Sequence, residues 1–218
     1  MRPIGLAAPV AVGVSALCYL LLSLALLAVP ALSEDAPEQD ASHAALVALV
    51  ASGVLGVLYL LSFVAAGVLV IIWTYRARRN LDAFPGNRAD LSAGWAIAAW
   101  LVPLANLVMP FVVLAELARD SLWRERTPPL VGVWWAGWLS FTIGDRVYSL
   151  MNEPPLFWSV LPALGCLVAG GSLVILVVRI SSAQETRIAR GRPAWSVLPG
   201  MTVTSPSVAP PAGGTIGA

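Results

Sequence analysis

Lysine is absent from this 218-residue chain, so all thirteen cationic side chains are arginines, and a single histidine and two cysteines accompany them. Each shortage excludes a class of chemistry. Cys18 and Cys166 lie inside apolar runs with no Cys or His neighbour at ligand spacing, so neither a disulfide framework nor a zinc site is indicated. They read as small apolar packing residues. His43 stands beside an acidic stretch without a nucleophile at interpretable spacing, which removes the basis for a hydrolase triad. There is no phosphate-cradling loop and no dinucleotide glycine fingerprint. These gaps lead us to expect no enzyme activity, no cofactor and no metal. A net charge of +1 gives no electrostatic footprint for nucleic acid.

Charge of either sign is scarce as well. Charged residues make up 11% of the chain, against about 25% in a soluble domain, while 58% of residues are hydrophobic. A soluble fold would have too little polar surface to cover that much apolar area, so the bilayer is the simpler solvent. The expected class is all-α, a polytopic transmembrane helix bundle.

What is present is a series of long apolar runs. The first, Leu6 to Leu32, has no charge after Arg2. Val29-Pro30-Ala31 loosely resembles a signal-peptide cleavage site, but signal cores are roughly 7–15 residues and this run exceeds that. A retained helix over about 7–31 is expected. An acidic loop, Ser33 to Asp40, follows with four carboxylates. It lacks the glycine turn of hard-cation loops and reads as a solvated connection. The second run, Ala44 to Trp73, is charge-free and then meets Trp73-Thr74-Tyr75-Arg76-Ala77-Arg78-Arg79-Asn80. Aromatics followed at once by arginines mark a helix leaving the bilayer on its cytoplasmic side. Nothing breaks that helix before Pro85-Gly86, so it should protrude by about two turns. Two further runs, 130–150 and 156–180, read as spans. From about residue 186 to Ala218 the Pro, Gly, Ser and Thr content cannot bury a core, and a disordered cytoplasmic tail is expected. Residues 1–185 then form the membrane domain.

The segment 93–117 differs from the others. Pro103 and Pro110 flank Asn106 near its middle, and each proline removes a backbone donor and disfavours helix just before it. Broken backbone at membrane depth requires protein or water to satisfy it. If the segment spans fully, five crossings divide the arginines five against seven, contrary to the positive-inside bias. If it is re-entrant or interfacial, four spans (about 7–31, 45–73, 130–150 and 156–180) leave every arginine except Arg146 on one side. We therefore expect four spans in the cell membrane with both termini cytoplasmic. Trp73, Trp95, Trp123, Trp134 and Trp135 would gather at the cytoplasmic interface and Trp158 at the outer one, as membrane anchors.

Trp73-x-x-Arg76 with Asn80, Gly94-Trp95 with Trp100, Pro103-x-x-Asn106-x-x-x-Pro110, Glu116 with Trp123, and Trp134-Trp135-x-x-Trp138 together resemble a bacterial membrane family, domain of unknown function 4328. The resemblance covers roughly residues 45–180. It implies a multi-helix membrane domain, and supplies no activity and no catalytic residues.

Intramembrane polar groups are costly and often functional, which singles out Asn106, Asp145 and Arg146 as candidates. Asn106 either satisfies the broken backbone locally or presents its amide to a solute, as discontinuous helices do. Asp145 and Arg146, about 100° apart around a helix, read as an interfacial lock or as part of a solute pathway. Arg76, with Arg78, Arg79 and Arg88, forms a basic collar that can attract anionic headgroups, and Asn80 follows it. The leading expectation is a non-enzymatic structural or interaction protein, with membrane lipids and a protein partner or second copy as its contacts. The alternative is a small-solute or ion transporter or channel subunit using the break at 103–110.

Overall fold

The structure is a computed structural model that describes residues 2–34, 38–82, 91, 94–102, 105–123, 126–152 and 155–191. Every regular element among them is helical: α1 (Arg2–Glu34), α2 (Glu38–Asp82), α3 (Trp95–Leu101), a 3-10 turn (Ala105–Leu107), α4 (Met109–Leu122), α5 (Pro129–Leu150) and α6 (Leu156–Gly191). Helices satisfy their own backbone polar groups, which apolar surroundings demand. Three of them are long and apolar enough to cross a membrane, over Ile4–Ala28, Leu46–Asp82 and Leu156–Arg190. These coincide with three of the four expected spans. Residues 130–150, the fourth expected span, form the helix α5, which is not among the three. Its three tryptophans, three glycines and the Asp145-Arg146 pair keep it outside that apolar set.

α2 runs unbroken through its arginines to Asp82. At roughly 1.5 Å per residue its length far exceeds a ~30 Å hydrocarbon layer, and the helix continues past the arginines as the missing helix breaker implies. α6 likewise continues to Gly191, into the stretch assigned to the tail. The remaining tail, residues 192–218, and most of the acidic 33–40 loop lie outside the described residues and side chains.

The 93–117 segment breaks where the prolines dictate. Val102 turns to extended backbone and ends α3, as a residue before proline does; Pro103 itself lies outside the described residues. Pro110 occupies the first turn of α4, where its missing donor costs nothing. α4 ends at Trp123, whose φ of 52° is left-handed and whose amide donates to the Arg119 carbonyl. α3 spans roughly 10 Å and α4 roughly 21 Å, and neither alone reaches across ~30 Å.

α6 is the central helix. It buries 44% of its apolar window, whereas α1 and α2 bury 11% of theirs. The main packing order is α2, α1, α6, α5, with α3 and α4 set against α2, α5 and α6 at one end. The closest approach joins α5 to α6. A Cβ placed on Gly137 would lie 2.7 Å from the Ala169 nitrogen, and one on Gly165 would lie 2.6 Å from the Phe141 nitrogen. No side chain fits at either position. Backbones this close are the usual means by which helices gain dispersion contact where lipid offers no hydrophobic drive.

Gly137→Val is therefore expected to lower stability by about 2–3 kcal/mol or more, as overpacking does. Gly171→Ala, with nothing within 4 Å of its would-be Cβ, should instead raise it by about 0.5–1 kcal/mol. Reversible unfolding of the purified protein in detergent measures both.

Candidate functional site

Residues 73, 77 and 80 of α2 share one helix face, as do 181 and 184 of α6, and these faces meet. Trp73 is fully buried and its Nε1 donates to Ser181 Oγ at 3.0 Å. Gln184, also fully buried, donates through Nε2 to the Ala77 carbonyl at 3.0 Å and to Ser121 Oγ of α4 at 2.9 Å, while its Oε1 accepts from Asn80 Nδ2 at 3.2 Å. One amide thus joins α2, α4 and α6. Such a buried, satisfied group specifies one arrangement of the helices it links.

Beside it, Arg78 does not belong to a solvated collar. It is 5% exposed, its Nε and Nη2 donate to the Leu91 carbonyl at 2.9 and 2.6 Å, and Nη1 pairs with Asp82 at 2.8 Å. Leu91 in turn donates its amide to Glu116 of α4 at 3.4 Å. A guanidinium fork can grip a carbonyl and a carboxylate together, and here it ties the approach to α3 to the end of α2. Farther along α6, Arg187 donates to the Asp120 carbonyl at 3.0 Å and lies 4.3 Å over the Trp123 ring. Arg76 and Arg79 do remain exposed, and Arg88 lies outside the described residues.

The other candidates fall elsewhere. Asp145 accepts from the Tyr19 hydroxyl of α1 at 2.9 Å, so it bridges α5 to α1 in the manner of a helix lock. Arg146 beside it is exposed. Asn106 lines a cavity of about 220 Å³. The broken segment supplies Trp100 and Asn106 to it, α2 supplies Tyr59 and Phe63, and α5 supplies Trp134 and Phe141. α1 and α6 form the rear, with Ser15, Cys166 and Gly170 among their contributions. Tyr59, Phe63 and Phe141 of this lining join Tyr19 in a cluster of tilted and edge-on ring contacts, with centroids 5.0–6.5 Å apart. The polar atoms of the broken segment are notable. Trp100 Nε1 and Asn106 Oδ1 are both buried and have no hydrogen-bond partner among the described residues.

The five sequence candidates therefore do not form one site. Asn80 belongs to the Gln184 junction, Asp145 to the Tyr19 lock and Asn106 to the cavity. Sequence reasoning missed Gln184, Ser121, Tyr19 and the indole of Trp100. A signal existed for Gln184, which sits three residues after Ser181 on one helix face. Trp73 and Trp134, expected as interfacial anchors, are instead core residues at 0% and 1% exposure. Trp95 and Trp123 are the exposed ones.

Comparison with known proteins now adds a family. Residues 35–156, more than half the chain, match the model of the Domain of unknown function (DUF4328) family. The chain belongs to that family. The match starts earlier and ends earlier than the 45–180 resemblance read from the sequence. Within the DUF4328 match lie α2, the broken segment and α5, which carry Tyr59, Phe63, Trp100, Asn106, Trp134 and Phe141 of the cavity, while α1 and nearly all of α6 fall outside it. No curated protein and no solved structure matches the chain significantly.

Tyr19→Phe is expected to lower stability by about 0.6 kcal/mol, with an upper bound of about 1.7 kcal/mol, the range for interhelical hydrogen bonds in membranes. Gln184→Ala, which strands several buried partners, should cost more, about 1–3 kcal/mol. Unfolding midpoints of the two variants, compared with the parent in one detergent, check the ranking.

Proposed function

We propose that this DUF4328 protein is a non-enzymatic, multi-pass protein of the cell membrane that works by binding, with four spans (α1, α2, α5 and α6) and a re-entrant segment formed by α3 and α4. The observation that carries the topology is the pair of tethers at the two ends of the broken segment. Leu91 is held by Arg78 near the end of α2, and Ser121 is held by Gln184 opposite Ala77 and Asn80 of the same end. A segment that starts and finishes at one end of two long helices has turned back on itself. The arginine distribution supports the same reading, since twelve of thirteen then share a side. Both termini would be cytoplasmic.

Binding is favoured over catalysis because the polar side chains are spent on joining helices. Tyr19 meets Asp145, Asn80 meets Gln184, and Arg78 holds the Leu91 carbonyl on the approach to α3. The transport alternative retains one observation in its favour, a cavity that reaches Asn106. Its walls are mostly aromatic and aliphatic, which suits neither a hydrated ion nor a polar solute.

Two measurements test this reading. In a background carrying Cys18→Ser and Cys166→Ser, Arg126→Cys and Arg190→Cys should react with an impermeant maleimide only after the cells are opened, while Met151→Cys reacts in intact cells. External labelling at both 126 and 190 would establish five crossings instead. Liposomes containing the protein should show no flux of ions or small metabolites above empty vesicles, and an Asn106-dependent flux would turn the assignment to transport.

A further inference from the structure

α6 carries no charge over residues 156–178 and meets its first at Arg179. That run measures roughly 34 Å as helix, so a crossing of a ~30 Å hydrocarbon layer brings Arg179 to its boundary. The Arg179 side chain is exposed and has no hydrogen-bond or ion-pair partner among the described residues. One and two turns farther on, Ser182 and Thr186 share its face of the helix and are exposed as well. Together with Ala183, and with Leu122 of α4, these three line an open groove of about 340 Å³. Its α4 wall is held in place, because Arg187 pins the end of α4 to α6 through the Asp120 carbonyl at 3.0 Å and the Trp123 ring at 4.3 Å. No carboxylate among the described residues lines the groove.

The chemistry of this lining restricts what can sit there. A guanidinium only donates, and its planar fork matches phosphate oxygens. The two hydroxyls are already spent as donors. Ser182 Oγ gives its proton to the Arg179 carbonyl at 3.0 Å, and Thr186 Oγ1 gives its own to the Ser182 carbonyl at 2.9 Å. Each keeps oxygen lone pairs, so what they offer a ligand is acceptance. On the other side of Arg179 the same face continues through Val178, Ile175 and Gly171, all exposed and apolar. A ligand matched to the whole surface has a hydrocarbon body, then a phosphate, then donors beyond the phosphate. An ammonium in that last place would stand near Arg179 and Arg187 and be repelled. A trimethylammonium has no donor to give. A neutral alcohol donates without either fault.

We propose that this groove binds an anionic phospholipid with a hydroxyl-bearing headgroup, of the phosphatidylglycerol type. Its phosphate sits on Arg179, its head alcohols against Ser182 and Thr186, and its acyl chains along Val178 and Ile175. The proposal rests on the binding reading above and names the partner. It differs from the general pull of basic residues on an anionic surface, since it assigns the lipid to one arginine and distinguishes one anionic headgroup from another. α4 gains a role as well. By ending against α6, it supplies the wall that turns an exposed helix face into a groove.

Native mass spectrometry of the full chain, purified in detergent and freed of lipid, counts bound lipids one at a time. The chain is titrated with phosphatidylglycerol, phosphatidic acid, phosphatidylethanolamine and phosphatidylcholine of one acyl composition. Phosphatidylglycerol should give a single tight equivalent. Phosphatidic acid, which has the phosphate but no head alcohol, should bind about threefold to tenfold more weakly, the scale of one hydrogen bond, and the two zwitterionic lipids more weakly still. Arg179→Gln should weaken the tight equivalent about tenfold or more, as loss of a charge-assisted hydrogen bond does. The double variant Ser182→Ala with Thr186→Val should bring phosphatidylglycerol down to the level of phosphatidic acid and leave phosphatidic acid unchanged. Should Arg179→Gln fail to fold, as judged by helical circular dichroism and monodisperse elution, the double variant decides alone. Arg76→Gln, which removes an equally exposed arginine from α2, should leave binding unchanged. Equal losses from Arg76→Gln and Arg179→Gln mean a diffuse attraction and overturn the proposal, as do equal affinities for phosphatidylglycerol and phosphatidylcholine. Binding of soluble glycerophosphoglycerol as tightly as the lipid would make the ligand a water-soluble phosphodiester and overturn the lipid assignment. A detergent solution has no inside or outside, so failure here and failure of the cysteine-labelling topology are separable.

Discussion

A peptide group cut loose from its helix in apolar surroundings has nowhere to find water, a constraint that the two prolines around Asn106 bring with them. Part of the remedy is local. The Asn106 amide donates to the Val102 carbonyl at 2.8 Å, and the Val108 amide to that of Ala105 at 3.0 Å, forming the 3-10 turn. The rest is tertiary. α2, α5 and α6 stand around the break, and Arg78 and Gln184 fasten its two ends. A chain with two prolines at this spacing can occupy apolar surroundings only if its neighbours shelter it, and much of the polar chemistry of the bundle serves that shelter.

The glycine approach between α5 and α6 shapes the other half of the molecule. With Gly137 and Gly165 allowing near backbone contact, α5 lies tight on α6 and is set away from α2. The broken segment fills part of the gap, and the tilted rings of Tyr59, Phe63 and Phe141 line it. What remains between them is the cavity, bounded by a seam of small residues, a proline break and an aromatic cluster. The cavity is a geometric consequence of two packing choices made elsewhere, and no single element builds it.

Much of the architecture was legible because it depends on one-dimensional properties. Long runs without charge become long helices, and α2 passes through Arg76, Arg78 and Arg79 because no breaker intervenes. Proline acts within a residue or two of itself, so the interruption at 103–110 could be placed from the sequence. The side-chain roles were harder to read. An arginine next to two solvated arginines gives no sign that it turns inward, yet Arg78 does so because Leu91 and Asp82 lie within its reach. Tryptophan beside a charged stretch is equally compatible with an interfacial anchor and a core residue. Trp73 became the second because Ser181 answers its indole.

Hydropathy and proline positions alone determined that the chain is helical, apolar and interrupted once, since those properties act over distances shorter than a helix turn or are averages along a helix. Which polar residues meet was decided only by tertiary structure. Asp145 finds Tyr19 across 126 positions of sequence and Gln184 finds Asn80 across 104, and such pairings depend on helix rotation and tilt that no local pattern encodes. Asn106 shows both sides of this division. Its two flanking prolines marked it in the sequence, but only the packing of four other helices set it in the wall of a cavity.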